Sequence, residues 1–144
     1  MSDHDSERWK IQVWVYRRSP CGKLEILLLQ TTAERGNYWQ PITGWVEPGE
    51  SLEVAARREA EEETGWSFPS SPLSLDLEFS FKGRWGAARE KAFALEAGLN
   101  GAAEPRLDSS EHLAWKWIAA AQALSELPFD SQKRALERLI EKFA

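Results

Sequence analysis

Glutamates crowd one short stretch of this chain, Arg58-Glu59-Ala60-Glu61-Glu62-Glu63-Thr64-Gly65. Between Ser51 and Gly65 there is no Gly or Pro, and good helix formers predict a helix over Leu52 to Thr64. Ser51 is placed to cap its start, Glu53 suits the first turn, and Gly65 suits the end. On an ideal wheel of about 100° per residue, Leu52, Ala55 and Ala56 form an apolar stripe. Glu59, Glu62 and Glu63 fall on that same side, while Arg57 and Glu61 face water. Carboxylates at i, i+3 and i+4 repel one another, and Glu61, Glu62 and Glu63 also oppose the negative end of the helix dipole. Either the run is an ordinary solvated face, or the cluster is half-buried and held by protonation or by a cation. Oxygen donors with no Cys or His nearby select a hard ion, Mg²⁺ or Mn²⁺, and these suit phosphate chemistry.

The spacing around this run favours the second reading. Gly44, five residues, Glu50, seven residues, Arg58-Glu59, one residue, then Glu61-Glu62-Glu63-Thr64-Gly65 resembles the signature box of the Nudix hydrolases. Every polar and glycine position is present, although Ala60 is small and Trp66 bulky for its hydrophobic slots. About seven fixed identities at fixed spacing seldom coincide by chance. The resemblance implies an α/β fold, the Nudix α/β/α sandwich with a mixed central β-sheet, as a single domain over residues 1–144.

Glu111-His112-Leu113-Ala114-Trp115-Lys116-Trp117, with Tyr38-Trp39-Gln40 and Thr43-Gly44, narrows the likeness. It is similar to the bacterial dihydroneopterin triphosphate diphosphatases of folate synthesis, more weakly between Gly65 and Ser110 and in the last helix. The resemblance implies Glu59 and Glu63 as main metal ligands, joined by Glu111, with Glu62 either ligating or acting as general base. Arg58 stands with the catalytic residues as the ion-pair partner that orients a box glutamate such as Glu50, not as a catalyst. Thr43, which replaces a common glycine, and Gly44 would touch substrate. His112 is read as structural or as the partner of a ligand. Many relatives carry a basic residue after the second strand; here Thr31 and Thr32 stand in its place and only Arg35 is close. Trp39 is either a substrate wall or a packed aromatic. Arg84, beside Trp85, is either a substrate contact or part of an exposed turn.

The implied reaction is metal-assisted attack of water on a dihydroneopterin or nucleoside triphosphate, giving the monophosphate and pyrophosphate. A sibling activity on dinucleoside polyphosphates or RNA 5′ ends is the alternative, and modest basic content counts against RNA. A non-catalytic nucleotide-binding module is the third reading, yet such modules usually lose box glutamates and this chain keeps them.

The elements that must position these residues are legible in the periodicity. Trp9 to Tyr16 alternates as a strand, with Ile11, Val13 and Val15 opposite Lys10, Gln12, Trp14 and Tyr16. Glu25 to Gln30 reads as a buried strand, Thr31 to Asn37 as a loop, and Leu73 to Phe81 as a strictly alternating strand. Lys82 to Ala88 is expected to be a loop, Arg89 to Glu96 a strand, and Gly98 to Asp108 a loop. Glu111 to Ile118 alternates, setting Leu113, Trp115 and Trp117 against His112, Ala114 and Lys116. A short helix over Ala119 to Leu124 precedes a last helix capped by Asp130 or Ser131. There Leu136, Leu139, Ile140 and Phe143 form a one-sided apolar stripe.

Composition sets the outer limits. A chain of 144 residues with 42% hydrophobic and 28% charged residues is of ordinary globular type and size for one core. Its net charge of −5 counts against non-specific binding to nucleic acid or an acidic membrane, but not against a small polyphosphate whose metal reverses the local field. The single Cys21 suits a reducing compartment. The aliphatic run Ile26 to Leu29 is too short to span a bilayer, and the polar Met1 to Glu7 is unlike a signal peptide. The cytoplasm is therefore expected. Nothing in the sequence fixes an oligomeric state.

Overall fold

Strand β1 (Arg8–Arg18) has apolar residues on both faces, which is what a strand in the middle of a two-layered core requires. The structure is a computed structural model and describes residues 8–83 and 86–143. The other strands are β2 (Leu24–Thr31), β3 (Trp39–Gln40), β4 (Ile42–Trp45), β5 (Leu73–Gly83), β6 (Gly86–Glu96) and β7 (His112–Ala119). Helix α1 (Leu52–Thr64) lies between β4 and β5, while α2 (Ala120–Ala123) and α3 (Asp130–Phe143) end the chain. The strands order as β3-β2-β1-β6-β5, with β4 also paired to β1 and β7 to β2. β1 and β6 run parallel while the other pairs are antiparallel, so the sheet is mixed.

One face carries Ile11, Val13, Val15, Leu27, Leu29, Phe93 and Leu95 against Ala55, Ala56 and Ala60 of α1. The opposite face carries Trp14, Ile26, Leu28, Ala92 and Ala94 against Ala135, Leu136 and Leu139 of α3. Burying Leu136 and Leu139 contributes about 1.5–3 kcal/mol each. The layers are those of an α/β/α sandwich around a mixed sheet, and the alternation of β1 and the stripe of α3 stand as the sequence implies. Among the described residues no helix is long and apolar enough to cross a membrane.

Several local expectations are corrected. Lys82, Gly83 and residues 86–88 are strand and not loop: Lys82 pairs with Ala87 and Gly83 with Gly86 in the antiparallel pair of β5 and β6. Arg84 and Trp85, read from sequence as a possible substrate contact, lie outside the described residues. Within β5 the register shifts between Ser74 and Glu78, where Asp76 takes a φ of 58°. Gly98 to Asp108 contains a 3-10 turn, Gly98–Ala102. Helix α3 begins at Asp130 itself, and the Phe129 carbonyl accepts from Gln132 and Lys133 N–H groups at 3.1 Å. Asp130 thus faces the positive end of the dipole from inside the first turn.

Candidate active site

The loop-to-helix unit folds by local rules. Ser51 Oγ accepts from the Val54 N–H at 3.1 Å, and Gly65, at a φ of 72°, donates its N–H to the Glu61 carbonyl at 2.8 Å. Arg58 then ties the helix to the preceding loop. Its Nε and Nη2 donate to the two oxygens of Glu50 at 2.6 and 3.0 Å, and Nη2 also donates to the Trp45 carbonyl at 3.0 Å. Its Nη1 reaches Glu59 at 2.9 Å and Glu62 at 3.2 Å. These hydrogen bonds from Arg58 hold the Glu50 carboxyl below its ordinary range, and they hold the guanidinium more firmly charged.

The inward face of α1 is not quite the one the wheel gives. Ala55, Ala56, Ala60, Glu63 and Thr64 are buried, so the stripe is centred further round than Leu52, Ala55 and Ala56 suggest. Glu59 and Glu63 point inward with side chains 14% and 8% exposed, whereas Glu62, expected on the same side, is 59% exposed at the margin. Glu61, expected to face water, is half-buried and accepts the Phe68 N–H at 3.0 Å.

Glu59 lies against the backbone of Gly44. A Cβ at Gly44 would sit 2.3 Å from Glu59 Oε2, so only glycine leaves the carboxylate room there. Burial pushes the Glu59 carboxyl up to about 7; Arg58 pulls it the other way, while Glu62 and Glu63 add to the rise. Glu63 Oε2 lies 2.9 Å from His112 Nδ1, at ion-pair distance, but neither buried atom makes an aligned hydrogen bond.

His112 reaches this position through a bulge. Gln30 pairs with Ala114 and Thr31 with His112, which leaves Leu113 as the extra residue on β7. The insertion reverses the alternation, so His112 shares the α1 side with Trp115 and Trp117 instead of opposing them. Leu113, expected in line with those tryptophans, is 55% exposed.

Thr31, Arg35, Tyr38, Thr43, Gly44, Arg58, Glu59, Glu62, Glu63 and Glu111 line one cleft of about 540 Å³ together with Lys10, Gln40 and Phe129. The fold therefore gathers every candidate from the box, and brings Glu111 to it from the turn before β7. Trp39 is the exception and is corrected: its ring packs on the α3 side of the sheet, with Lys116 Nζ 4.2 Å from its centroid, and the neighbouring Tyr38 lines the cleft. Thr31 is structural, its hydroxyl accepting the Tyr38 N–H at 2.8 Å. Lys10, Gln40, Tyr38 and Phe129 also line the cleft, and the sequence reading gave none of them a role there. For Lys10 a signal existed, a cation on the strand face that otherwise carries Gln12 and Trp14.

Among the described residues no three His, Cys, Asp or Glu side chains converge as a ready metal cluster, and Arg58 Nη1 lies between Glu59 and Glu62. The donor chemistry still fits a hard divalent ion. The cleft offers carboxylate oxygens from Glu59, Glu62, Glu63 and Glu111, and Glu63 brings a buried oxygen that lacks a hydrogen-bond partner.

A family model described as NUDIX domain matches residues 8–140. An octanoyltransferase of Myxococcus xanthus is 35% identical over 116 residues, covering 78% of this chain but only 31% of that relative's length. The asymmetrical bis(5'-nucleosyl)-tetraphosphatase of Caenorhabditis elegans is 34% identical over 111 residues, 76% of this chain and 78% of the relative. Dihydroneopterin triphosphate diphosphatase of Escherichia coli K12 is 30% identical over 128 residues, 80% of this chain and 82% of the relative. The solved E. coli dihydroneopterin triphosphate pyrophosphohydrolase superposes with a TM-score of 0.74 at 24% identity, covering 93% of this chain and 95% of that one, a likeness of fold.

Proposed function

This chain belongs to the Nudix family, and we propose that it is a metal-dependent pyrophosphohydrolase cleaving a dihydroneopterin or nucleoside triphosphate to the monophosphate and pyrophosphate. One observation carries the reading: Glu59 and Glu63, four apart on α1, turn their carboxylates into a cleft that Glu111 lines with the cations Lys10 and Arg35.

Glu59, Glu63 and Glu111 would hold Mg²⁺ or Mn²⁺, which when bound offsets the charge of a polyphosphate and acidifies water. Glu62, the most exposed of these carboxylates, serves as a further ligand or takes the proton of the attacking water. Arg58 acts as a positioning residue: paired with Glu50 and the Trp45 carbonyl, it fixes the end of β4, where Gly44 lies against Glu59, and the loop that follows. Lys10 and Arg35 supply positive charge for phosphate oxygens not held by metal. Thr43 and Gly44 contact the chain of phosphates from β4.

A second reading, hydrolysis of a dinucleoside polyphosphate, has its own observation. Tyr38 and Phe129, 39% and 46% exposed, meet edge to face at 5.4 Å at the cleft, a surface on which a second base could stack. The test is a panel of nucleoside triphosphates, dihydroneopterin triphosphate and dinucleoside tetraphosphates with Mg²⁺, scored for pyrophosphate against phosphate release. Pyrophosphate from triphosphates is the expected result, and preferential cleavage of dinucleotides would favour the second reading. Hydrolysis of none of them would overturn both.

A further inference from the structure

A second cavity, of about 500 Å³, adjoins the carboxylate cleft and shares Lys10, Gln40, Thr43 and Phe129 with it. Its walls have a different character. Phe79 and Phe81 of β5 and Phe129 give aromatic faces, while Glu90 of β6 and Gln132 of α3 give polar ones. Glu90 is 9% and Gln132 5% exposed, and Gln132 Oε1 has no hydrogen-bond partner. Beside Glu90 on the same sheet face, Gln12 is fully buried; its Oε1 accepts from Trp14 Nε1 at 2.7 Å, and its Nε2 acts on the Glu90 carboxyl without an aligned hydrogen bond. Burial raises the Glu90 carboxyl, and Lys10 and the Gln12 amide draw it back. A buried amide oxygen left unsatisfied is costly, and a ligand that donates to Gln132 Oε1 relieves that cost.

Taking the adjoining cleft as the polyphosphate site, as read above, we propose that this cavity seats the organic ring of the substrate. Glu90 and Gln132 select a ring with a 2-amino-4-oxopyrimidine edge, the edge shared by guanine and pterins. The chemistry is complementary. That edge presents a ring N–H and an amino group side by side, two donors for a carboxylate that only accepts, with the Gln132 oxygen as a further acceptor. Adenine offers an amino group next to a ring acceptor, so a carboxylate there meets one donor and one repelling lone pair. A site built to hydrogen-bond a group discriminates strongly against the analogue that lacks it. Phe79 and Phe129 provide ring faces to stack on, and the shared Lys10 lies where ring and phosphates would meet.

The test is calorimetric titration of the full chain with GMP against AMP, and with neopterin against adenosine. GMP, neopterin or both should bind roughly tenfold to hundredfold tighter than the adenine counterpart. The nucleotide arm and the pterin arm distinguish the two sources of the edge. Glu90→Gln, which swaps one acceptor oxygen for donors at constant size, should bring the preferred ligand down to the adenine level. Equal affinity, or no measurable binding, in the unaltered chain overturns the proposal without recourse to a variant. Selective binding by a chain that hydrolyses nothing would sink the proposed reaction and leave this subsite standing; hydrolysis without selectivity would do the reverse.

Discussion

The carboxylate half of the cleft takes Gly44, Arg58, Glu59, Glu62 and Glu63 from one short run of chain, joined by Glu111. The aromatic half gathers Lys10, Phe79, Glu90, Phe129 and Gln132 from β1, β5, β6, the connector and α3. The halves also treat charge differently. In the first, Arg58 and His112 lie within ion-pair distance of Glu50, Glu59, Glu62 and Glu63. In the second, the Gln132 amide oxygen keeps no hydrogen-bond partner. Glu63 Oε2 and His112 Nδ1 lack an aligned hydrogen bond in the first half and Gln132 Oε1 in the second, so the spare capacity lies on ionisable groups in one and on a neutral amide in the other. Rate is expected to depend on the first and choice of substrate on the second.

Four experiments can break or sharpen that contrast. The largest effect belongs to Glu59→Gln and Glu63→Gln, each of which should lower turnover by about 10²–10⁴ while the circular dichroism melt stays cooperative. Undiminished turnover in both would remove the carboxylate half from the chemistry.

Next is the pH dependence of folding in chelator. The Glu59 carboxyl stands at about 7 in the fold against an ordinary 4.5, so between those values the folded chain holds a proton that the unfolded chain releases. Its contribution is therefore neutral below about 4.5, and stability falls as pH rises through 7, by up to about 3 kcal/mol. Urea melts of the unaltered chain should show this fall relative to Glu59→Gln. A constant difference across that window would mean that Arg58 keeps Glu59 ionised. Because a bound cation displaces that proton, Mg²⁺ affinity should also rise with pH in this window.

A smaller change probes the same half without touching a carboxylate. In Gly44→Ala the new Cβ must displace Glu59, and misplacement on the scale of an ångström should cost about a hundredfold in kcat/KM. A variant with full activity would show that Glu59 works from another position. The least effect lies in the aromatic half: Phe79→Ala should raise KM for triphosphates about tenfold through lost stacking, with kcat held. A fall in kcat at constant KM would assign Phe79 to the reaction and erase the division of labour.

Legibility in the sequence follows the same division. Ser51, Gly65 and the Arg58–Glu50 pair could be read because caps and box contacts depend on residues a few positions apart. Trp39 could not be resolved, since packed and site-facing aromatics look alike in one dimension, and its neighbour Tyr38 takes the cleft. Glu62 was misplaced because three early apolar residues gave a stripe whose true centre Ala60, Glu63 and Thr64 shift. Glu90 and Gln132 drew no notice, as nothing near either in sequence marks them.

What the chain dictates by itself is therefore the local part: the capped helix, the acidic box with its glycine, the alternating strands and the two-faced core. Their causes, backbone propensity and periodicity, act over a turn or a strand. Tertiary structure alone decides what converges on that helix. A single extra residue at Leu113 turns His112 toward Glu63, and the pairing of β1 with β6 sets Lys10 beside Glu90. Register between distant strands is fixed by packing of the whole sheet, so no window of sequence contains it.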